Sequence, residues 1–344
     1  MSGLPPFPWQ FSYWENLTKS HQSQTLSHAY LIGGPQGIGK FDFASQFSKY
    51  LLCKSPKKNV ACGECSDCLL GNNSPHPDYI QVCAEADSKV IKVDQIRSLS
   101  NFFSQTSHSG QAKVAVLNDA HYLNTAAANA LLKTLEEPAK KTYIFLCSSL
   151  PSSLMATIRS RCQRITMVNP SKENTIKWLK DRIDSRYDLE LLAEASDNRP
   201  MYALDLIEGD ILEHEKVVIS NFIELTRSNI SLQAAVKLII DTGETIAIGS
   251  LIRFLRACIK NLLLVKSNKS ISPEEQELLT ICHNSDLPLK TAVLGLFKFY
   301  DDLVAAEREL LDTNLNSQLI VESIVWEWSK MSHILLSGSN EKSA

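Results

Sequence analysis

Short apolar runs recur along the first half of this chain, each closed by polar residues and followed by a stretch of helical periodicity. They cover residues 28–32, 79–82, 114–117, 143–147 and 164–168. Val114, Ala115, Val116 and Leu117, ending at the polar pair Asn118 and Asp119, suit a strand buried on both faces within a parallel sheet. Helical periodicity predicts helices over 13–22, 41–52, 91–103, 126–137 and from 154 to about 162. Residues 126–137 are nearly all good helix formers and are stopped by Pro138. Strand alternating with helix predicts βαβ units. The Pro-rich opening is expected to be an extended arm, and Phe7, Trp9, Phe11, Trp14 and Leu17 are read as packing residues.

From Ser171 onward the pattern is helical, with no further strands. Residues 172–183, 189–195 and 201–207 predict three short helices closing near Gly209. Beyond 211, helical runs alternate with polar breaks. Leu251, Leu255, Cys258, Leu262 and Val265 form one stripe and Leu296, Tyr300 and Leu303 another, while 319–331, with Trp326 and Trp328, forms the last. Such stripes are core or helix-packing surface.

Two segments carry chemistry. The strand at 28–32 runs into Gly34-Pro35-Gln36-Gly37-Ile38-Gly39-Lys40, a phosphate loop whose glycines let backbone N–H groups close on phosphate oxygens while the lysine adds charge. After the next helix come Cys53, Cys62, Cys65 and Cys68, a spacing that can close a tetrahedron of thiolates around zinc. The segment is too polar, with Lys54, Lys57, Lys58, Glu64 and Asp67 interleaved, to be a group of core thiols. Four protein ligands leave no open position for water, so the zinc would be structural. His76 follows closely and is assigned to the turn before the strand at 79–82, not to the metal.

The strings HAYLIGGPQGIGK, NTAAANALLKTLEEP and IRSRC, with the four-cysteine insert between the first two, resemble the bacterial clamp-loader branch of the AAA+ family. The resemblance is close over the first half of the chain and weaker in the helical remainder. It implies an α/β P-loop AAA+ domain with a parallel sheet at 1–168, carrying a zinc module at about 53–68. A three-helix lid at 169–210, an all-α collar at 211–335 that assembles the ring, and a disordered tail at 336–344 would follow. It further implies the DNA polymerase III clamp loader as the assembly, a nucleotidyltransferase holoenzyme. The partners would be motor subunits and the clamp-opening delta subunit, with the sliding clamp and primed DNA met through the complex.

Against the family's pattern, the hydrolytic residues are missing. An active P-loop ATPase needs a hydroxyl after the lysine to hold Mg²⁺ and an acidic residue at the neighbouring strand end. Position 41 is Phe41, and Asn118-Asp119 stand where active relatives have Asp-Glu. Met201 stands where relatives have an arginine that reaches the γ-phosphate, and Arg199, two residues earlier, is expected to face elsewhere. ATP binding at Gly34, Gly37, Gly39 and Lys40 stays open, and hydrolysis is not expected. Arg161, in Ser160-Arg161-Cys162, matches the family's arginine finger, which is presented to the nucleotide of the adjacent subunit. The ordinary fate of an isolated arginine is a surface carboxylate. Cys147 and Cys162 are read as buried small hydrophobes.

Composition narrows the choice. With 344 residues, two or three domains are expected, and 44% apolar content suffices for their cores. A net charge of -3 argues against a protein that grips nucleic acid alone by mass electrostatics. Nine cysteines, four of them clustered, make a poor disulfide framework and point to a reducing, cytoplasmic setting. The first residues lack a signal peptide's basic and apolar regions, and no run is long enough to span a bilayer. Three readings follow: a non-hydrolysing ring stator, a motor ATPase with an unusual Mg²⁺ shell, and a zinc-containing nucleic-acid-binding module.

Overall fold

The computed structural model describes residues 6–73, 76–85, 90–185, 187–209, 211–263, 272–285, 288–310 and 316–336, with the side chains of 71–73, 212 and 308 left aside. The chain divides into two compact units, Met1–Leu204 and Asp205–Ala344.

The first unit holds α1 (Phe11–Gln22), β1 (Ala29–Gly33), α2 (Lys40–Leu52), α3 (Ser66–Asn73), β2 (Tyr79–Val82), α4 (Val93–Ser104) and β3 (Lys113–Leu117). It continues with α5 (Thr125–Glu136), β4 (Thr142–Ser148), α6 (Ala156–Arg159), β5 (Gln163–Thr166), α7 (Lys172–Lys180), α8 (Leu189–Ala195) and α9 (Pro200–Glu208), the last reaching four residues past the unit boundary. The strands form one parallel sheet in the order β2-β3-β4-β1-β5. Every residue of β1 and β3 is buried, as the unbroken apolar runs require.

Period-2 alternation then assigns each strand residue to one of two cores. Leu31, Ala115, Leu117, Ile144 and Leu146 pack with Ile96, Leu99 and Leu131 of α4 and α5. Their neighbours Tyr30, Ile32, Val114, Val116 and Phe145 pack with Trp14 of α1 and Phe43 and Phe47 of α2. Both faces are thereby covered.

Two local expectations are corrected. From residue 6 on the opening is not an extended arm, residues 1–5 lying outside the described residues: Pro8–Gln10 makes one 3₁₀ turn that runs directly into α1, and Phe7 and Gln10 are buried. Proline at the first turn position presets the backbone for this. The helix expected from 154 to about 162 is only the four residues of α6. Met155, at φ −52° and ψ 137°, is extended, and a separate turn, Pro151–Ser153, precedes it. Between α8 and α9, Asp197 and Asn198 both lie in the left-handed region, which short polar side chains tolerate. Asn169 Nδ2 and Thr175 Oγ1 donate to their two carbonyls and fix that turn.

The second unit, among its described residues, is helical: α10 (Ile211–Thr226), α11 (Leu232–Thr242), α12 (Glu244–Leu263), α13 (Pro273–Asn284), α14 (Leu289–Leu310) and α15 (Ser317–Leu336). Leu251, Leu255, Cys258, Leu296 and Leu303 enter its core as the stripes predict, with Leu262 and Tyr300 at the margin, whereas Val265 lies outside the described residues. Trp328 is the centre of that core. It stacks on Phe222 at 4.1 Å and donates its indole N–H to Thr226 Oγ1 at 2.9 Å. Trp326 is 53% exposed, because two residues turn a helix by about 200°. The expected tail lies, from 337 on, outside the described residues. No described helix is long and apolar enough to cross a membrane.

Candidate metal centre, phosphate loop and arginine

Cys53 ends α2, and Cys62, Cys65 and Cys68 come from the loop and first turn of α3, so one short excursion gathers all four thiols. Their sulfurs lie within 4.8 Å of one another. Cys53 and Cys65 are 3.9 Å apart, as are Cys62 and Cys68. A tetrahedron with Zn–S of 2.3 Å has an edge of about 3.8 Å, so the donor set fits a single metal ion of that kind. Backbone N–H groups of Glu64 and Cys65 point at Cys62 Sγ at 3.5 and 3.3 Å and pull that thiol down to about 6. Burial pushes the Cys53 and Cys68 thiols up, and a cation between the sulfurs would favour their thiolates.

His76 is not in the cluster. Its Nδ1 accepts the Asp78 N–H, which leaves the ring proton on Nε2, facing Asp67 Oδ1 at 3.2 Å. Asp67 also takes the Lys54 ammonium at 2.9 Å. This buried carboxylate therefore ties α3 to the start of β2.

The phosphate loop joins β1 to α2. Gly37 and Gly39 have φ of +79° and +76°, conformations that a side chain would strain. The loop is also pressed by its own chain. A Cβ at Gly39 would sit 2.4 Å from the Phe7 ring, one at Gly37 would sit 2.8 Å from Tyr202 N, and one at Gly34 would sit 2.5 Å from Met167 O. Gln10 Nε2 donates to the carbonyls of Ile38 (3.0 Å) and Gly39 (2.9 Å), Trp9 Nε1 also reaches Ile38 O, and Met201 N–H bonds Gly37 O. Phe7, Trp9 and Trp178 pack ring to ring above them. None of these clamps was legible in the sequence. Phe7 and Trp9 looked like ordinary packing, and a glutamine amide leaves no periodic trace.

Lys40 is buried and donates to Pro35 O at 2.6 Å, turned across its own loop. Burial pushes its ammonium below the ordinary lysine range, and the Arg199 charge adds to that, against Asp119. The Arg199 guanidinium lies 4.3 Å from the Tyr202 ring, and its Nε donates to Ser196 O at 2.8 Å. Tyr202 rests on Gly37. The Phe41 ring packs on the core beneath the sheet. Asp119 is held in the left-handed region at φ 48°. His121 bridges from the same turn to Ser148 and Ser149, and burial lowers its pKa.

Arg161 lies just past α6. Its Nη1 donates to Thr157 O at 2.9 Å and its Nη2 meets Glu136 Oε1 at 2.6 Å, with the side chain 35% exposed. Cys147 and Cys162 are buried, and burial pushes each thiol up to about 12, as inert core thiols require.

Residues 9–171 match the family model described as DNA polymerase III, delta subunit. The DNA polymerase III subunit delta' of Pseudomonas aeruginosa is 37% identical over 227 residues, 65% of this chain and 68% of that one. The corresponding subunit of Escherichia coli is 37% identical over 205 residues, and there the match spans only 61% of the relative's length. A solved gamma subunit-related protein of Thermotoga maritima matches over 93% of this chain and 99% of that one at 19% identity, with a TM-score of 0.48. The extent and identity of the Pseudomonas match assign the chain to the DNA polymerase III subunit delta' family.

Proposed function

We propose that this chain is a stator of the bacterial DNA polymerase III clamp loader: it does not hydrolyse ATP, and it lends Arg161 to the nucleotide of an adjacent motor subunit. Residues 1–168 serve as the nucleotide-binding-like domain, 169–210 as its lid and 211–335 as the collar that joins the ring. Its partners are the motor and delta subunits, and through them the sliding clamp and primed DNA during replication in the cytoplasm. Cys53, Cys62, Cys65 and Cys68 hold one structural zinc.

The observation that carries the reading is Phe41. Its ring belongs to the core packing, in the position where an ATPase needs a hydroxyl for Mg²⁺. Asn118 supplies no charge to a metal, and one of the Lys40 ammonium's three donors is turned back on Pro35 O. Phosphoryl transfer is catalysed mainly by positioning and charge, so loss of the metal ligand alone costs orders of magnitude. Arg161, by contrast, is intact and partly exposed next to the last turn of α6.

The test compares the isolated chain with the reconstituted loader. The isolated chain should show no DNA-stimulated ATP turnover above that of Lys40→Ala, and Arg161→Ala should leave the ring assembled while slowing its ATPase by about 10³-fold or more. Turnover by the isolated chain that Lys40→Ala abolishes would reject the stator. Full ATPase in the Arg161→Ala ring would reject the finger.

A further inference from the structure

We infer that Glu136 is the positioning residue of Arg161, a reading that rests on the finger role proposed above. Glu136 is the last residue of α5, where a carboxylate meets the negative end of the helix dipole and is followed directly by Glu137 and Pro138. Nothing in helix stability asks for an acid there. Its Oε1 lies 2.6 Å from Arg161 Nη2. On the other edge, Nη1 is held by Thr157 O, a carbonyl of the four-residue α6.

The two holds come from different elements, one from the end of α5 and one from α6. Together they fix the plane of the guanidinium and its azimuth, which a single bond from α6 would leave free to swing. These bonds occupy at most three of its five N–H donors, the third being a long contact to Ser160 Oγ. Donors therefore remain for a phosphate oxygen. With Glu136 48% and Arg161 35% exposed, the pair is too solvated to lock the arginine away from a partner. The carboxylate restrains the finger without neutralising it. Preorganisation of this kind acts on the transition state, where a misaimed charge loses its effect.

The experiment measures steady-state ATPase of the reconstituted loader on primed DNA with Glu136→Ala, Glu136→Gln, Arg161→Ala and the double variant. Glu136→Ala is expected to lower kcat by about tenfold with the KM for ATP unchanged, well short of the loss from Arg161→Ala. Glu136→Gln keeps the acceptor oxygen and should recover to within about threefold of the parent. The double variant should be no slower than Arg161→Ala alone, since the two residues act through one group. Parental or faster turnover with Glu136→Ala, beside a slow Arg161→Ala, overturns the positioning role and leaves the finger standing. A raised KM, or a double variant slower than Arg161→Ala, also overturns it. Parental turnover with Arg161→Ala refutes the finger itself.

Discussion

Replacing Gly39 with alanine tests whether the opening turn seals the phosphate loop. The residue sits at φ +76°, so any L side chain carries roughly 1–2 kcal/mol of backbone strain. The new methyl would also lie 2.4 Å from Phe7, whose ring stacks on Trp9 at 5.0 Å and meets Trp178 edge-on at 5.5 Å. That ring has little room to retreat, and overpacking of this sort costs about 1–3 kcal/mol. The sum, roughly 2–5 kcal/mol, corresponds to a fall in Tm of about 5–15 °C for a unit of this size. Urea denaturation followed by tryptophan fluorescence reads it, since Trp9, Trp14 and Trp178 all report on the first unit. The decisive comparison is the same substitution in a Phe7→Ala background. With the ring gone, the backbone strain and a milder 3.3 Å approach to Gln10 Nε2 remain, so the cost of Gly39→Ala should drop to about 1–2 kcal/mol. An equal cost in both backgrounds would mean that Phe7 does not rest on the loop, and the account of the sealed loop would fall.

Metal analysis of the purified chain should give one zinc per molecule, and Cys62→Ser should lose it and unfold at lower denaturant. A stable, folded, zinc-free preparation refutes the assignment. Asp78 offers a pH test. Burial works to raise its carboxyl, but the N–H groups of Ser109 and His108 and the hydroxyls of Ser107 and Ser109 overcome it and bring the pKa down to about 2. A depressed acid stabilises above its unfolded value near 3.9 and loses that contribution as pH falls through its folded one. Asp78→Asn should therefore cost about 2 kcal/mol at pH 7, and the gap to the parent should narrow between pH 5 and 3; a constant gap would contradict the network.

How much could be read from the residues alone depended on whether a pattern or a single partner decided the outcome. Strands such as 114–117 were legible because a run buried on both faces has no polar alternate, and the cysteine cage was legible because its ligands lie close in sequence. The short α6 was not, since Met155 has good helix propensity and only its extended backbone starts the helix late. Trp326 and Trp328 looked like one apolar stripe until their angular separation set one at the core's centre and the other in solvent. The Arg161 finger pattern was visible, but its partner was 25 residues away in a different helix, and no local spacing names such a pair.

The sheet order has a consequence for synthesis. Strand β1 lies between β4 and β5, with Ala29 beside Ile144 and Gly33 beside Thr166. A nascent chain emerging from the ribosome thus carries its first strand for more than a hundred residues before either neighbour exists. The cysteine cage needs nothing beyond Cys68 and can close while translation continues, whereas the sheet must wait for its last strand. A helper that shields apolar segments at the exit tunnel would find its longest-lived client in residues 29–33.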